Sequence, residues 1–260
     1  MFFNYRGKTV GLLVLVAVLL AGTAAYAFHS WGPYHWARTS NPFTLKLGDN
    51  VSTAWDAYLA GASSDWSQSS VLNTTVVGGG TTARRCRPTS GRVEVCSYGY
   101  GFNGWLGVAS IWISGSHIVQ GTVKVNDSYF NTKTYNTPPW RRLVMCQEIG
   151  HEFGLDHQDE NFYNPNLGTC MDYTSNPGGP PSNEHPNVHD YEQLEAIYTH
   201  IDSTTSVSQV VSNNGKGDSN EEDAIEGGKV LRKDSKGRDS LYVRNLGKDK
   251  KVFTFILWAD

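Results

Sequence analysis

Gln147-Glu148-Ile149-Gly150-His151-Glu152-Phe153-Gly154-Leu155-Asp156-His157 is the stretch that decides the fold. It fits H-E-x-x-H-x-x-G-x-x-H at every fixed position but the first, where glutamine replaces histidine. Side chains four apart on a helix share a face, so Gln147 and His151 point the same way and Glu148 lies beside them. Gly154 lets the chain turn sharply, which returns His157 to the same point. Two ligands on a rigid helix, an adjacent carboxylate and a histidine after a glycine hinge make a candidate metal site. The bland alternative is that His151 and His157 are ordinary core or surface histidines. Glutamine can coordinate through its amide oxygen, a neutral and weaker donor than imidazole. Tyr173, or Asp156, Asp159, His185 or His189 from the following loop, could otherwise complete the shell.

The neighbouring sequence extends this reading. Thr137-Pro138-Pro139 starts the helix, with Thr as N-cap and Pro tolerated in the first turn. Leu143, Val144, Ile149 and Phe153 supply its apolar side, and Gly154 ends it as a C′ glycine. Cys170-Met171-Asp172-Tyr173 follows after a loop rich in Asn, Pro and Gly. A second helix is expected over 190–201, where Tyr191, Leu194, Ile197, Tyr198 and Ile201 recur at helical spacing. Upstream, 51–66 reads as a helix capped by Asp49 or Asn50, 71–77 as a strand, and 105–125 as two or three strands.

Composition bounds the rest. With 39% hydrophobic and 12% aromatic residues, 260 residues can bury a real core in one domain with extensions. A formal charge of −3 is too mild for a nucleic-acid partner. Residues 1–27 carry Arg6 and Lys8, an apolar run and Ala25-Tyr26-Ala27, which reads as a signal peptide. The same segment is long enough for an N-terminal membrane anchor; either way the main domain is exported, and membrane contact requires that the segment stay uncleaved. Export makes disulfides the default for four cysteines. Cys86 and Cys96 flank a turn-rich stretch and suggest a stapled hairpin, which leaves Cys146 to pair with Cys170. A Cys-ligated zinc site would need tighter spacing.

Residues 28–40 form a lead-in, 41–202 the main domain, 203–228 a Ser/Asn/Gly/acid-rich linker and 229–260 a small β extension of three short strands. Three strands hardly stand alone. The dispersed tryptophans favour core and cleft packing over a carbohydrate platform. Acidic loop residues offer a possible Ca2+ site, although no EF-hand spacing exists. Three N-x-S/T triplets are present at Asn50, Asn73 and Asn126. No cysteine lies between Phe28 and Arg85 to hold the site latent by ligating a metal.

Over 41–202 the chain resembles the metzincin clan of zinc metallopeptidases, matrixin-like in its compactness, with Met171 in the position of the clan's Met-turn. The resemblance implies an α+β, zincin-like domain: a twisted, mixed, mostly parallel sheet, an active-site helix, a Met-turn and a C-terminal helix. One antiparallel edge strand, here 110–114 or 121–125, would line the substrate cleft. It further implies one catalytic Zn2+ held by His151 and His157, with Gln147 in the third position. Glu148 would be the general base, Met171 a platform under the metal, and Tyr173 a residue able to reach it. The function implied is a secreted zinc-dependent endopeptidase, a monomer acting on peptide or protein substrates. The alternative is a catalytically weak or inactive domain of this type that serves as an extracellular binding protein.

Overall fold

A computed structural model describes residues 28–208 and 228–259. The expected signal segment and most of the expected linker, including its acidic cluster at 218–226, lie outside the described residues. Among the described residues, no helix is long and apolar enough to cross a membrane.

The sheet grows from strands whose side chains alternate between a buried and an open face. After the two-residue β1 (His35–Trp36) comes β2 (Phe43–Asn50), in which Phe43, Leu45 and Leu47 point into the core and Thr44 and Lys46 out of it. Helix α1 (Asp56–Trp66) crosses back to β3 (Leu72–Gly78), and β4 (Val93–Tyr98) follows on the other side of β2. The hairpin β5 (Trp105–Ser114) and β6 (His117–Asn126) turns at Gly115, whose φ of +62° suits glycine. Short α2 (Asp127–Phe130), long α3 (Pro138–His151) and α4 (Val188–Ile197) complete the helices. Strands β7 (Lys229–Lys233), β8 (Asp239–Gly247) and β9 (Lys250–Trp258) end the chain.

These strands form one mixed sheet in the order β3-β2-β4-β6-β5-β9-β8-β7, with β1 pairing β6. From β3 to β6 the pairs are parallel; from β6 through β5, β9 and β8 to β7 they are antiparallel. The protein is therefore α+β, with α1 and α3 packed together and α3 laid across β5, β6 and β9. The indole Nε1 of Trp66 donates to the Cys146 carbonyl at 3.1 Å, and the buried Arg141 guanidinium lies 4.5 Å from the Trp55 ring centroid. The wholly buried Trp36, Trp55 and Trp66 are core residues, as their dispersal suggested.

Four expectations are corrected. Residues 110–114 belong to the antiparallel strand β5, but β5 is not an edge: β9 pairs along its outer side from Trp105↔Trp258 to Ser114↔Lys250. Residues 121–125 lie inside β6, between β4 and β5. The physical cause is the β9 sequence itself, since Val252-Phe253-Thr254-Phe255-Ile256-Leu257 is buried throughout and reads as an interior strand. The C-terminal extension is therefore continuous with the main sheet. Third, α1 begins at Asp56 and not at Val51, because Asp49 accepts from Val51 N and Asn50 is drawn away to Glu94. Fourth, the last helix spans Val188–Ile197, capped by Asn187 in a reciprocal capping box with Asp190. Thr137 does stand at the N-cap of α3, without a side-chain bond.

Both disulfides form, Cys86–Cys96 and Cys146–Cys170, each with Cα atoms 5.9 Å apart. The first joins β4 to the loop before it, not to a second strand of a hairpin. The second ties α3 to the loop that carries Met171. On the same helix, a Cβ at Gly150 would sit 2.6 Å from the Met171 sulfur and 2.8 Å from Trp66. Gly150→Ala should therefore lift α3 off this bed and cost about 1–3 kcal/mol, seen as a lower urea midpoint with an unchanged slope.

Candidate metal centre

His151 closes α3, and the chain turns at Gly154, where φ is +101°. A Cβ at Gly154 would meet the Tyr34 carbonyl oxygen at 2.8 Å, so glycine is required by both the backbone angle and the lead-in packed against it. The lead-in also holds the helix end: Trp31 donates to the His151 carbonyl at 3.0 Å and Trp36 to the Glu152 carbonyl at 2.8 Å. After the turn, His157 returns to His151 as the motif required.

The two imidazoles meet Nε2 to Nε2 at 2.9 Å. Their other nitrogens are engaged elsewhere: His151 Nδ1 bonds the Leu155 carbonyl at 2.9 Å and His157 Nδ1 bonds Glu160 Oε1 at 2.8 Å. A carbonyl or carboxylate oxygen only accepts, so each Nδ1 carries its ring's proton. On His151 this leaves Nε2 as a lone pair facing the His157 ring. Burial, aided by His157, lowers the His151 pKa well below its ordinary value. With each ring fixed from behind, the two Nε2 atoms stand where a single cation could take both as ligands. An imidazole whose far nitrogen is fixed by a carbonyl or carboxylate is the usual form of a metal-ligating histidine.

Gln147 and Glu148 add unsatisfied oxygen. The Gln147 amide is wholly buried and its Nε2 donates to the Cys170 carbonyl at 2.9 Å. Its Oε1, the atom able to ligate, has no partner among the described residues. Both Glu148 carboxylate oxygens are likewise buried without a partner, and the side chain packs against Gly107 and Val144. Burial raises the Glu148 pKa well above the carboxylate range. A charged carboxylate left alone in such a place costs several kcal/mol, so a nearby cation would be its natural compensation. The two imidazole nitrogens suit a small divalent ion such as Zn2+, and the unpartnered Gln147 oxygen and Glu148 carboxylate lie on the same helix.

Other expected residues are placed variously. The Met171 sulfur lies under Gly150, one residue before His151 in the helix. Tyr173 is fully buried, its ring centroid 4.4 Å from that of His157, and its hydroxyl donates to the Ile256 carbonyl of β9 at 3.4 Å. Burial, then the Glu160 carboxylate, raises its pKa well above the phenol range. The four loop residues considered as replacement ligands are engaged elsewhere. Asp156 binds the guanidinium of Arg232, with Oδ2 at 2.5 Å, and caps its neighbour by accepting from His157 N. Asp159 accepts from Asn161 N at 2.5 Å. His185 pairs with Asp65 at 2.7 Å, and His189 stacks on His29. Among the described residues the acidic loop residues do not form an oxygen cage for Ca2+: Asp172 accepts from Leu167 N and Asn183, while Asp190 accepts from Thr169, Gln158 and Asn187 N.

The extension supplies what sequence reasoning missed. Phe255 of β9 lies flat on His151, with centroids 4.1 Å apart and planes 11° from parallel. Arg232 of β7 bridges Asp156 and Glu160, the latter at 2.8 Å. Burial pushes both carboxyl pKa values up, but the Arg232 hydrogen bond followed by His157 at Asp156, and His157 followed by Arg232 at Glu160, win and hold them below the usual range. Glu160 thus stays ionised beside His157. No motif marks Arg232 or Glu160; the apolar run of β9 was the one available signal for Phe255. With His157 the most exposed of the four at 8%, Gln147, Glu148, His151 and His157 are sealed under β9.

No protein-family profile and no curated protein sequence matches the chain. The local geometry must stand alone.

Removing the support of His157 should weaken zinc binding before any ligand is touched. Glu160→Ala is expected to lower zinc affinity about 10–100-fold in chelator competition. Gln147→His, which restores the stronger donor, should raise it.

Proposed function

We propose that the protein is a latent, zinc-dependent endopeptidase of zincin-like fold, exported from the cell, with its own C-terminal strand lying in the substrate cleft. The observation that carries this reading is the facing Nε2 pair of His151 and His157, each ring locked through Nδ1, with the unpartnered Glu148 carboxylate one helical turn away on α3. The donor set selects the metal: imidazole with one oxygen suits Zn2+ better than the all-oxygen shells of Ca2+ or Mg2+.

The bound zinc ion would polarise a scissile carbonyl and acidify a water molecule. The residues of this chain do the remainder. His151 and His157 hold the ion through Nε2, positioned by the Leu155 carbonyl and Glu160. Gln147, its amide pinned by the Cys170 carbonyl, offers Oε1 as a third, neutral donor. Glu148 accepts a proton at its carboxylate and passes it to the leaving amine. The Cys146–Cys170 bond and Met171 keep helix and turn in fixed relation. Export accords with the two disulfides.

Latency follows from β9. An extended peptide would bind by adding a strand to the outer side of β5, and β9 holds that side along its whole length. It places Phe255 against His151 where a substrate residue would lie. Arg232 clamps the same extension to Asp156 and Glu160. A reading without catalysis, in which the closed site simply binds metal, is favoured by the same seal and by the weak donor Gln147.

Peptide cleavage separates the two. Zinc-loaded full-length chain should cleave a mixed peptide library slowly, and chain ending at residue 208 should cleave it at least about tenfold faster, the scale of one or two kcal/mol of release. Should the shortened chain not fold, Phe255→Ala in the full chain serves instead. Glu148→Gln should abolish cleavage while retaining zinc. If zinc binds but neither opened form cleaves any peptide, the peptidase reading fails and the metal-binding reading replaces it.

A further inference from the structure

A second group of histidines lies where β1, the β5–β6 hairpin and the segment after α4 meet. His35 comes from β1, His117 from the first residue of β6, and His200 and Asp202 from beyond the last helix. Their side chains converge on one oxygen. Asp202 Oδ1 lies 3.2 Å from His117 Nε2, 3.3 Å from His35 Nε2 and 3.6 Å from His200 Nε2. His35 Nε2 and His200 Nε2 are 3.1 Å apart.

The donor atoms of this group crowd together: the ligand atoms of His35, His200 and Asp202 all lie within 4.8 Å of one another. His35 Nδ1 faces the Pro33 carbonyl at 3.1 Å, so it carries the proton and leaves Nε2 as a lone pair. That lone pair faces a carboxylate oxygen, which also only accepts. His200 can donate to the His35 lone pair and His117 to Asp202 Oδ1; a cation bound here would displace those two protons. The other Asp202 oxygen is already engaged: Oδ2 accepts from Arg38 Nη1 at 2.9 Å and from Arg38 N at 3.2 Å, while the same guanidinium donates to the His200 carbonyl. The carboxylate is thus oriented through one oxygen and presents the other to three imidazoles.

We infer that His35, His117, His200 and Asp202 form a second, structural Zn2+ site, distinct from the centre at His151 and His157. The His35, His200 and Asp202 atoms, all within 4.8 Å of one another, supply three of the four donors zinc takes in closed sites, and His117, 3.2 Å from the same Asp202 oxygen, is the fourth at hand. The Pro33 carbonyl behind His35 and Arg38 behind Asp202 supply the supporting contacts that orient ligands. Access is present: the side chains of His35 and Asp202 are buried or nearly so, while that of His200 is 55% exposed and that of His117 34%. A metal can therefore enter from solvent on the His200 side.

The placement gives the site a purpose. Trp36, next to His35, supports the end of α3 through the Glu152 carbonyl, and Ala37 binds Ser206 beyond Asp202. Zinc at the cluster would fasten the lead-in, the hairpin and the chain end after α4 at one point, and so hold β1, whose Trp36 bonds the Glu152 carbonyl at the end of the helix bearing His151. This role requires no peptidase activity and holds if the protein only binds metal.

Elemental analysis after equilibrium dialysis against Zn2+ tests it. The full-length chain should hold two zinc ions, and the His151→Ala/His157→Ala double variant should hold one. Adding His117→Ala and His200→Ala to that variant should reduce zinc content to zero; both side chains face solvent, so the fold should persist by circular dichroism. The melting temperature of the His151→Ala/His157→Ala variant should rise with zinc, and that rise should vanish in the quadruple variant. Co2+ in place of Zn2+ should give visible absorption that the same two substitutions remove. A folded His151→Ala/His157→Ala variant that holds no zinc overturns the second site and leaves the first untouched. A quadruple variant that still holds one zinc ion overturns it as well.

Discussion

Two imidazole nitrogens turned toward each other at 2.9 Å are the constraint on which the rest of the site depends. The chain goes to some length to create this contact. Gly154 turns the backbone, Leu155 and Glu160 fix the rings, and the lead-in tryptophans hold the helix end. A cation bound between them, as proposed, would also offset the oxygens of Gln147 and Glu148 that lack a partner among the described residues. In that reading the glutamine is a donor, its amide held in place by the Cys170 carbonyl.

The second constraint comes from the other end of the chain. An antiparallel strand with a free edge offers an open row of backbone groups, and an open edge invites pairing. Here the protein pairs it with itself. β9 covers β5, Phe255 stacks on His151, Tyr173 reaches the Ile256 carbonyl, and Arg232 grips the loop that carries His157. One extension therefore both completes the sheet and closes the site. Opening it requires breaking a buried strand pairing, which suits a switch thrown once better than a lid that moves in each cycle.

Much of this was legible in the sequence because helix geometry is local. The spacing of Gln147, His151, Gly154 and His157 fixes a helix, a turn and a return, and all three are found. Both cysteine pairings were readable because few alternatives exist for four cysteines. The helix after the loop was readable from its apolar period, though its start was set by Asn187, whose capping depends on Asp190 and cannot be told from neighbouring polar residues by period alone. Strands β2 and β4 went unrecognised: β2 is short-ranged in its alternation, and β4 is buried along its length. The position of β9 was not readable at all. Its apolar run announced an interior strand, but nothing local says which strand it joins, and that partner decides whether the cleft is open. Arg232 and Glu160 escaped for the same reason, being 72 residues apart in sequence.

Nitrogen-15 NMR of the imidazole side chains tests the central claim most directly. With zinc present, His151 and His157 should each keep a slowly exchanging Nδ1 proton while both Nε2 resonances move together to coordinated values. If either ring instead carries its proton on Nε2, and zinc leaves both signals unmoved, the two histidines are partners in a hydrogen bond and no metal centre exists.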